Sequence, residues 1–490
     1  MRPISGASGY VAVLCAVCVG CGCVGASDQD QNDPVWAWVV RDTIPLKKGR
    51  DTVCTLHRGD MVRVIRERRA TVDVVLFSWQ QEQRSGSLPK EAVLHEDDAW
   101  RHFTELLKQD QHVAQAYYGR AMVRLYGSHT RADTMLWQHA REDLSHAIRH
   151  DENYIAARTA RAVINMRLGV LNEASADLGV IIRRESSSPW AYLKRAECHR
   201  RLGEILSNQE AAGEARHQYR QALDDYNTAL ELAPDATAYL GRANVHVALS
   251  EFDRAILDLD HARELKPHLF APGPRVRALM GQERYREAID VVDDAILRGS
   301  RRSDLYAHKG QAHLALGHYG LALSAFERAT EYASIDQRAA AWKAVAWLLA
   351  TSPDARHRDG KRSLDTALKA CVHVALTGEQ EHFDFLKAVD HLSGLPRAFK
   401  HEWIRDGWRD WRCFDVLAAA YAECGQFQAA VAWQERAVRI APKHRRAEVA
   451  QRLSLYRRQR PYRMEPPAAA AASKGDRAVS AAPVMPNEKP

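Results

Sequence analysis

Residues 237–267 read TAYLGRANVHVALSEFDRAILDLDHARELKP, with apolar and small residues at three- and four-residue steps, a break at Ser250-Glu251 and a stop at Pro267. This pattern predicts two amphipathic helices joined by a tight turn. Taking Ala243 as reference, Ala255 follows at +12, Leu259 at +16, Ala262 at +19 and Pro267 at +24. The same offsets lead from Ala162 to Ala174, Leu178 and Ile181, and from Gly310 to Ala322, Phe326 and Ala329. They recur from Ala418 to Ala430, Gln434, Ala437 and Pro442. Two copies carry insertions between their helices: Ala121 with Ala140, Leu144 and Ala147, and Ala196 with Ala222, Tyr226, Ala229 and Pro234. Val276 with Ala288, Val292 and Ala295 is a degenerate copy. Small residues on both helices let the axes approach closely, a bulky residue fills the groove between units, and proline ends the second helix.

Ahead of this array the period changes from helical to alternating. Val62-Arg63-Val64-Ile65 and Thr71-Val72-Asp73-Val74-Val75-Leu76-Phe77 are β-branched runs, and Lys48-Gly49-Arg50, Arg58-Gly59-Asp60 and Arg84-Ser85-Gly86-Ser87 supply turns. Four or five short strands at this spacing predict a small barrel.

The helical spacing resembles the tetratricopeptide (TPR) repeat, a helix–turn–helix unit that stacks because one pair cannot bury its own apolar face. The β segment resembles a bacterial SH3-like domain through VVRDTIPLKKG, VCTLHRGDMVRVI and GSLPKEAVL, with Gly86-Ser87-Leu88 where that family has Gly-Trp-Val/Ile. Trp347 to Pro353, Arg358-Asp359-Gly360-Lys361, and Gly407 to Trp411 leading into Leu417 to Gly425 resemble the final repeats of large bacterial TPR proteins. The implied fold is an all-α TPR solenoid preceded by a small all-β SH3-like barrel. In the TPR family ligands lie in a concave groove lined by the first helix of each repeat. Carried over residue by residue, the groove positions are Tyr126, Arg167, Glu197, Arg200, Arg201, Asn244 and Gln311. The Lys/Asn set of carboxylate-clamp TPRs is not reproduced, while Arg167, Arg200 and Arg201 point to an acidic ligand.

A charge ladder accompanies the repeats. The residue before the reference is basic at Arg120, Arg161, Arg195, Arg242, Arg275 and Lys309; an acid precedes the bulky residue at Asp143, Asp177, Asp225 and Asp258. One reading is an anion-binding stripe. The favoured one pairs Arg and Asp across antiparallel helices, because planar guanidinium–carboxylate forks fix such geometry. Val291 and Ala325 replace the acid in two copies, which makes Arg275 and Lys309 the candidates for free charge.

Length and composition agree with this organisation. A chain of 490 residues exceeds one core, and 46% hydrophobic with 27% charged residues is ordinary for folded protein. A net charge of +7 does not call for nucleic acid. Arg2, the apolar run Tyr10 to Val19 and the small residues up to Ala26 fit a secretory signal peptide, cut after Val24-Gly25-Ala26 or, as a lipoprotein, before Cys21. Cys15, Cys18, Cys21 and Cys23 are then filler of that signal. Cys54, Cys198, Cys371, Cys413 and Cys424 remain, scattered and odd in number, as core thiols. Cys413 and Cys424 on one helix would be ~16 Å apart along its axis, too far for a disulfide.

The boundaries that follow are 1–26 signal peptide, 35–95 SH3-like β domain, 97–376 repeats, 377–406 insertion, 407–461 terminal repeat and basic capping helix, and 462–490 a disordered Ala/Pro-rich tail. The insertion, with Phe383, Phe385, Phe399 and Trp403, reads as a cap on the stack or an aromatic partner patch. Lys443, Arg445, Arg446, Arg452, Arg457, Arg458, Arg460 and Arg463 read as a solvated capping helix, with anionic lipid or an acidic partner as the sharper alternative.

No P-loop, dinucleotide turn, His-Glu-x-x-His or Gly-x-Ser-x-Gly occurs, and the 22 histidines fall into no ligand-spaced set. The expectation is a non-catalytic exported scaffold, without cofactor or metal, that binds a protein or peptide partner, an acidic one being favoured. The alternative is an envelope-attached structural protein whose SH3-like domain binds cell-wall or membrane material. No nucleic acid is expected.

Overall fold

A computed structural model describes residues 35–77, 84–126, 134–209, 211–269, 271–377 and 410–466. The signal segment, Trp79 (the candidate to replace the Trp that the SH3-like family carries, or else an ordinary core or edge Trp), the Phe383–Trp403 insertion, Gly407 to Arg409 and the tail from 467 onward lie outside the described residues. Two compact units emerge: Leu257–Leu269 group with the chain up to Leu249, and Ser250–Ile256 group with Phe270 and beyond.

The first unit begins with seven strands: β1 Trp36–Val39, β2 Thr43–Lys48, β3 Asp51–His57, β4 Met61–Glu67, β5 Thr71–Leu76, β6 Ser85–Pro89 and β7 Val93–Leu94. They form one antiparallel sheet in the order β3-β2-β6-β5-β4-β1-β7. The order is linear with β3 and β7 at the edges, so the sheet is not closed, and the expected four or five strands were an undercount. The short runs before Asp42 and after Pro89 are too brief to carry an alternating signal. Ile44, Leu46, Leu56, Val62, Val72, Val74 and Leu88 fill one face. Gly86 is required here: a Cβ would stand 2.7 Å from the Lys47 carbonyl oxygen.

Period-two alternation turns other side chains of β1 and β4 the opposite way. Trp38 and Met61 enter a separate core with Phe103 of α1 (Glu96–Gln109) and Tyr118 and Met122 of α2 (Ala114–Tyr126). At the β3–β4 turn Gly59 has φ +91°, and a Cβ there would meet the Gln115 carbonyl and Tyr118 ring at 2.9 Å. The sheet is thus fixed to the first helices by a shared core.

Helix pairs follow: α2 with α3 (Thr134–His150), α4 (Ile155–Leu168) with α5 (Leu171–Arg184), α6 (Pro189–Asn208) with α7 (Ala212–Leu232), and α8 (Ala236–Ala248) with α9 (Phe252–Leu265). The second unit continues with α10 (Pro272–Gly281) and α11 (Tyr285–Leu297), then α12 (Ser303–Ala315) and α13 (Tyr319–Tyr332). Next come α14 (Ile335–Thr351) and α15 (Gly360–Thr377), then α16 (Trp411–Glu423), α17 (Phe427–Ile440) and the closing helix α18 (Lys443–Arg457). The α14/α15 pair escapes the offset pattern because Ser352 to Asp359, with a short 3-10 turn at Ala355–His357, lengthens its connection.

The reference positions and their partners are buried: Ala162, Ala174, Leu178 and Ile181 are all 0% exposed. Gln434, which stands where other copies have a bulky apolar residue, is equally buried and donates to Asp415 Oδ1 at 2.7 Å and the Val449 carbonyl at 2.9 Å. Caps mark the ends, as at Asp235, whose carboxylate accepts from the Thr237 and Ala238 amides at 2.8 and 3.0 Å. Turns inside the pairs use a left-handed residue: Gly169, Gly317 and Gly425 at φ 77°, 75° and 74°, but Ser250 and Glu283 at 63° and 60°. The five cysteines among the described residues are free thiols, with Cys198, Cys371 and Cys413 buried.

On the closing helix and just past it Lys443, Arg445, Arg446, Arg457, Arg458 and Arg460 are exposed, as expected of a solvated cap, and Arg452 is the exception. Arg452 is 3% exposed and makes a two-pronged bond with buried Asp415, Nε to Oδ1 at 2.9 Å and an Nη to Oδ2 at 2.8 Å. Arg463 pairs with Glu423 at 2.6 Å, and the Met464 amide donates to the Thr351 carbonyl at 2.9 Å. Residues 462–466, the start of the expected disordered tail, therefore lie against helices. Among the described residues no helix is long and apolar enough to cross a membrane.

Candidate functional site

The ladder residues meet as pairs. Arg120 holds Asp143 through two bonds of 3.0 and 2.6 Å, and Arg161 holds Asp177 through two of 2.8 Å. Arg195 holds Asp225 at 2.8 and 2.6 Å, and Arg242 holds Asp258 at 2.9 and 2.6 Å. Each carboxylate is buried, while each guanidinium keeps about a quarter or less of its surface exposed. Hydrogen bonding to the acid raises the pKa of Arg161, Arg195 and Arg242 above the ordinary arginine value. Four forks with both prongs used leave these arginines little capacity for a soluble anion.

The two bases without a ladder acid are not free either. Lys309 pairs with Asp293 on the preceding helix, and Arg275 is engaged as well. Asp293 lies two residues beyond Val291, the ladder position of the preceding copy, so Lys309 is served from the neighbouring repeat, a pairing that the repeat arithmetic did not test.

The seven groove positions do not form one site. Gln311 is in the second unit, where its side-chain oxygen faces His308 Nδ1 at 3.3 Å. Asn244 donates back to the Leu240 carbonyl at 2.9 Å within its own helix. Glu197 and Arg200 form a fork on α6, which Glu204 extends and Tyr226 joins through its hydroxyl at 3.3 Å from Glu197. Arg201 donates to the Met166 carbonyl at 2.7 Å, tying α6 to the end of α4. Arg200 and Arg201 are thus committed to internal partners, which removes two of the three cations that suggested an acidic ligand.

Tyr126 and Arg167 do come together. With Leu125 of α2, Trp137 of α3, and Val163 and Ile164 of α4, they line an open surface niche whose water-accessible space is about 10 Å³, room for about one water molecule. The Arg167 guanidinium lies 5.5 Å from the centre of the Trp137 ring, and Arg167 is exposed. Tyr126 closes one side through an aromatic cluster, 5.0 Å from Phe77 and 6.3 Å from Trp36 between ring centres.

Trp137, Trp36 and Phe77 were not singled out from sequence as site residues. Trp137 stands three residues before the small residue Ala140 in a copy whose helices are separated by an insertion, so no offset marks it. Trp36 and Phe77 belong to the sheet region, and only its docking on α2 places them beside Tyr126.

Among the described residues no three His, Cys, Asp or Glu side chains are arranged to hold a metal ion. His199, beside Cys198, is occupied by Gln218 at 2.8 Å and Ser175 at 3.3 Å. Burial pushes the Cys198 thiol up to about 12, far from a reactive thiolate.

Models of the family described as tetratricopeptide repeat match residues 210–268, 303–336 and 412–444. These three stretches of the helical array are tetratricopeptide repeats. Solved structures similar to the chain include a TPR protein from Parabacteroides merdae, 14% identical, covering 51% of this chain and 91% of that one with a TM-score of 0.38. Yeast Tom70 is 13% identical over 74% of this chain and 92% of its own, at a TM-score of 0.32. YrrB, described as a TPR protein with an unusual peptide-binding site, is 23% identical over 46% and 97%, at a TM-score of 0.30. No curated protein matches the chain. TPR proteins generally mediate protein–protein interaction, and the matched residues on α7 to α9, α12, α13, α16 and α17 are the TPR part of this one.

Proposed function

We propose that the chain is an exported, non-catalytic TPR scaffold that takes a peptide segment of a protein partner in the Tyr126–Trp137–Arg167 pocket. The observation that carries this reading is the exposed guanidinium of Arg167, stacked on Trp137 at the rim of an aliphatic and aromatic niche. Such a rim favours an apolar side chain with a carboxylate next to it, since arginine in this setting offers several donors to an anion while its flat face stays on the ring. An acidic partner therefore rests on Arg167, not on Arg200 or Arg201.

The SH3-like reading of the sheet is kept within this proposal as a fixed N-terminal cap. Its support is the shared core of Trp38, Met61, Phe103 and Met122. That docking counts against the envelope-attached alternative, which needs a sheet free to grip polymer. Export rests on the first 26 residues, and N-terminal sequencing of the mature protein, with mass measurement for a lipid on Cys21, tests it.

The test of the pocket is selection of phage-displayed random heptapeptides on the full chain, followed by titration of the enriched peptide. Acidic–aromatic peptides should emerge, and Trp137→Ala or Arg167→Glu should each weaken them at least tenfold. Enriched peptides insensitive to both substitutions would overturn the reading.

A further inference from the structure

The sequence blocks Trp347 to Pro353 and Arg358 to Lys361 play no part in that pocket. In the second unit they meet the end of α16, and three consecutive non-helical residues rest on them. The Tyr462 ring lies 5.8 Å from that of Trp347. Arg463 donates to the Ala350 carbonyl at 3.2 Å and pairs with Glu423 at 2.6 Å. The Met464 amide donates to the Thr351 carbonyl at 2.9 Å, and its side chain packs beside the core of Phe326, Val345, Leu348 and Leu349.

The seat offers acceptors to its occupant: two helix-end carbonyls and the Glu423 carboxylate. Of the seat's cations, Arg358 lies 3.3 Å from the same carboxylate and donates to the Ser352 and Pro353 carbonyls, and Arg452, 5.4 Å from the centres of the Trp347 and Tyr462 rings, is neutralised by Asp415 and Glu448. Acceptors in this layout select a backbone N–H and a guanidinium, and the flanking surfaces select an aromatic ring and a flexible apolar chain. Among the described residues one backbone hydrogen bond holds the segment, and the positive φ of Gln459, 54°, with Pro461 separates it from α18.

We propose that this seat is a docking site for an extended basic–apolar segment of a protein partner, of the pattern aromatic–Arg–Met, and that Tyr462–Met464 occupies it in cis until the partner competes. The site is separate from the first-unit pocket and of opposite charge preference, so either can fail alone. Occupation in cis raises the apparent dissociation constant of a competitor by the inverse of the open fraction.

The probe is a fluorescein-labelled peptide of residues 460–466, RPYRMEP, titrated against the full chain by anisotropy. The Tyr462→Ala/Met464→Ala variant should bind it at least tenfold more tightly than the native chain. Adding Glu423→Gln, or using a probe with its second Arg changed to Glu, should abolish the gain. Equal binding to both chains, or indifference to the charge change, would overturn the proposal. Should the double variant not fold, hydrogen exchange on the native chain decides: excess peptide should raise exchange at the Met464 amide, and no change refutes competition. Dimers formed by exchange of this segment, seen by light scattering, would overturn the partner reading in favour of a second copy.

Discussion

The two units solve the same stacking problem with different polar chemistry. In the first, each described helix pair carries a buried aspartate gripped by an arginine from the facing helix, four times over. In the second, Val291 and Ala325 take the acid's place, and the polar investment is gathered at the end, in Asp415, Gln434, Glu448 and Arg452. A distributed ladder sets the register of every pair locally. A terminal cluster fixes the last helices together, while the pairs before it carry single polar links such as Lys309–Asp293 and Ser303 to the Ala329 carbonyl in place of the repeated fork.

The largest expected effect comes from breaking that cluster. Arg452→Met leaves the Asp415 carboxylate buried and uncompensated, which should cost about 3–5 kcal/mol in urea unfolding, with the loss confined to probes in the second unit. Removing one rung of the ladder should cost less, because its guanidinium is partly in water. Asp177→Ala strands Arg161 and Arg158 and should lower stability by about 2 kcal/mol in the first unit. Equal losses from the two substitutions would erase the contrast.

The turns sharpen the comparison at smaller cost. Glu283 sits left-handed where Gly169 and Gly317 do so without strain, so Glu283→Gly should stabilise by about 1 kcal/mol, read as a rise in melting temperature. Gly169→Ala should lose a similar amount. The pH response should be smaller still. Burial depresses His313 and His308 in the second unit and His102 and His146 in the first. The folded state prefers these rings neutral, so stability holds above the ordinary histidine range and falls as pH drops through it. His313→Leu should blunt the acid loss in the second unit alone, as followed by acid titration of the melting temperature.

Much of the array was legible because the repeat spacing is a packing rule: small residues must recur where axes cross, and Ala162, Ala174 and Leu178 could be placed by arithmetic. The forks were legible for the same reason, since an interhelical pair needs fixed offsets. What escaped was decided between distant segments. Trp36 and Phe77 reach Tyr126 only through sheet docking, Lys309 finds its acid at another offset, and Arg452 looks like one more solvent charge until α16 supplies Asp415. The strand count failed because strands as short as β1 and β7 are defined by their partners. Arg200 looked available because its neighbours Glu197 and Glu204 were not weighed as competitors on the same helix.

The Arg463 contact with Ala350 spans 113 residues of chain. A repeat array can begin to form wherever neighbouring units collapse, and its order of assembly is free. This contact removes that freedom at one end, because a growing or translocating chain cannot close it until Pro461 and the residues after it have emerged. Up to that moment the Trp347 ring lacks its Tyr462 neighbour, and the core of Phe326, Val345, Leu348 and Leu349 lacks Met464. Completion of the second unit is therefore tied to the arrival of the segment that follows its closing helix.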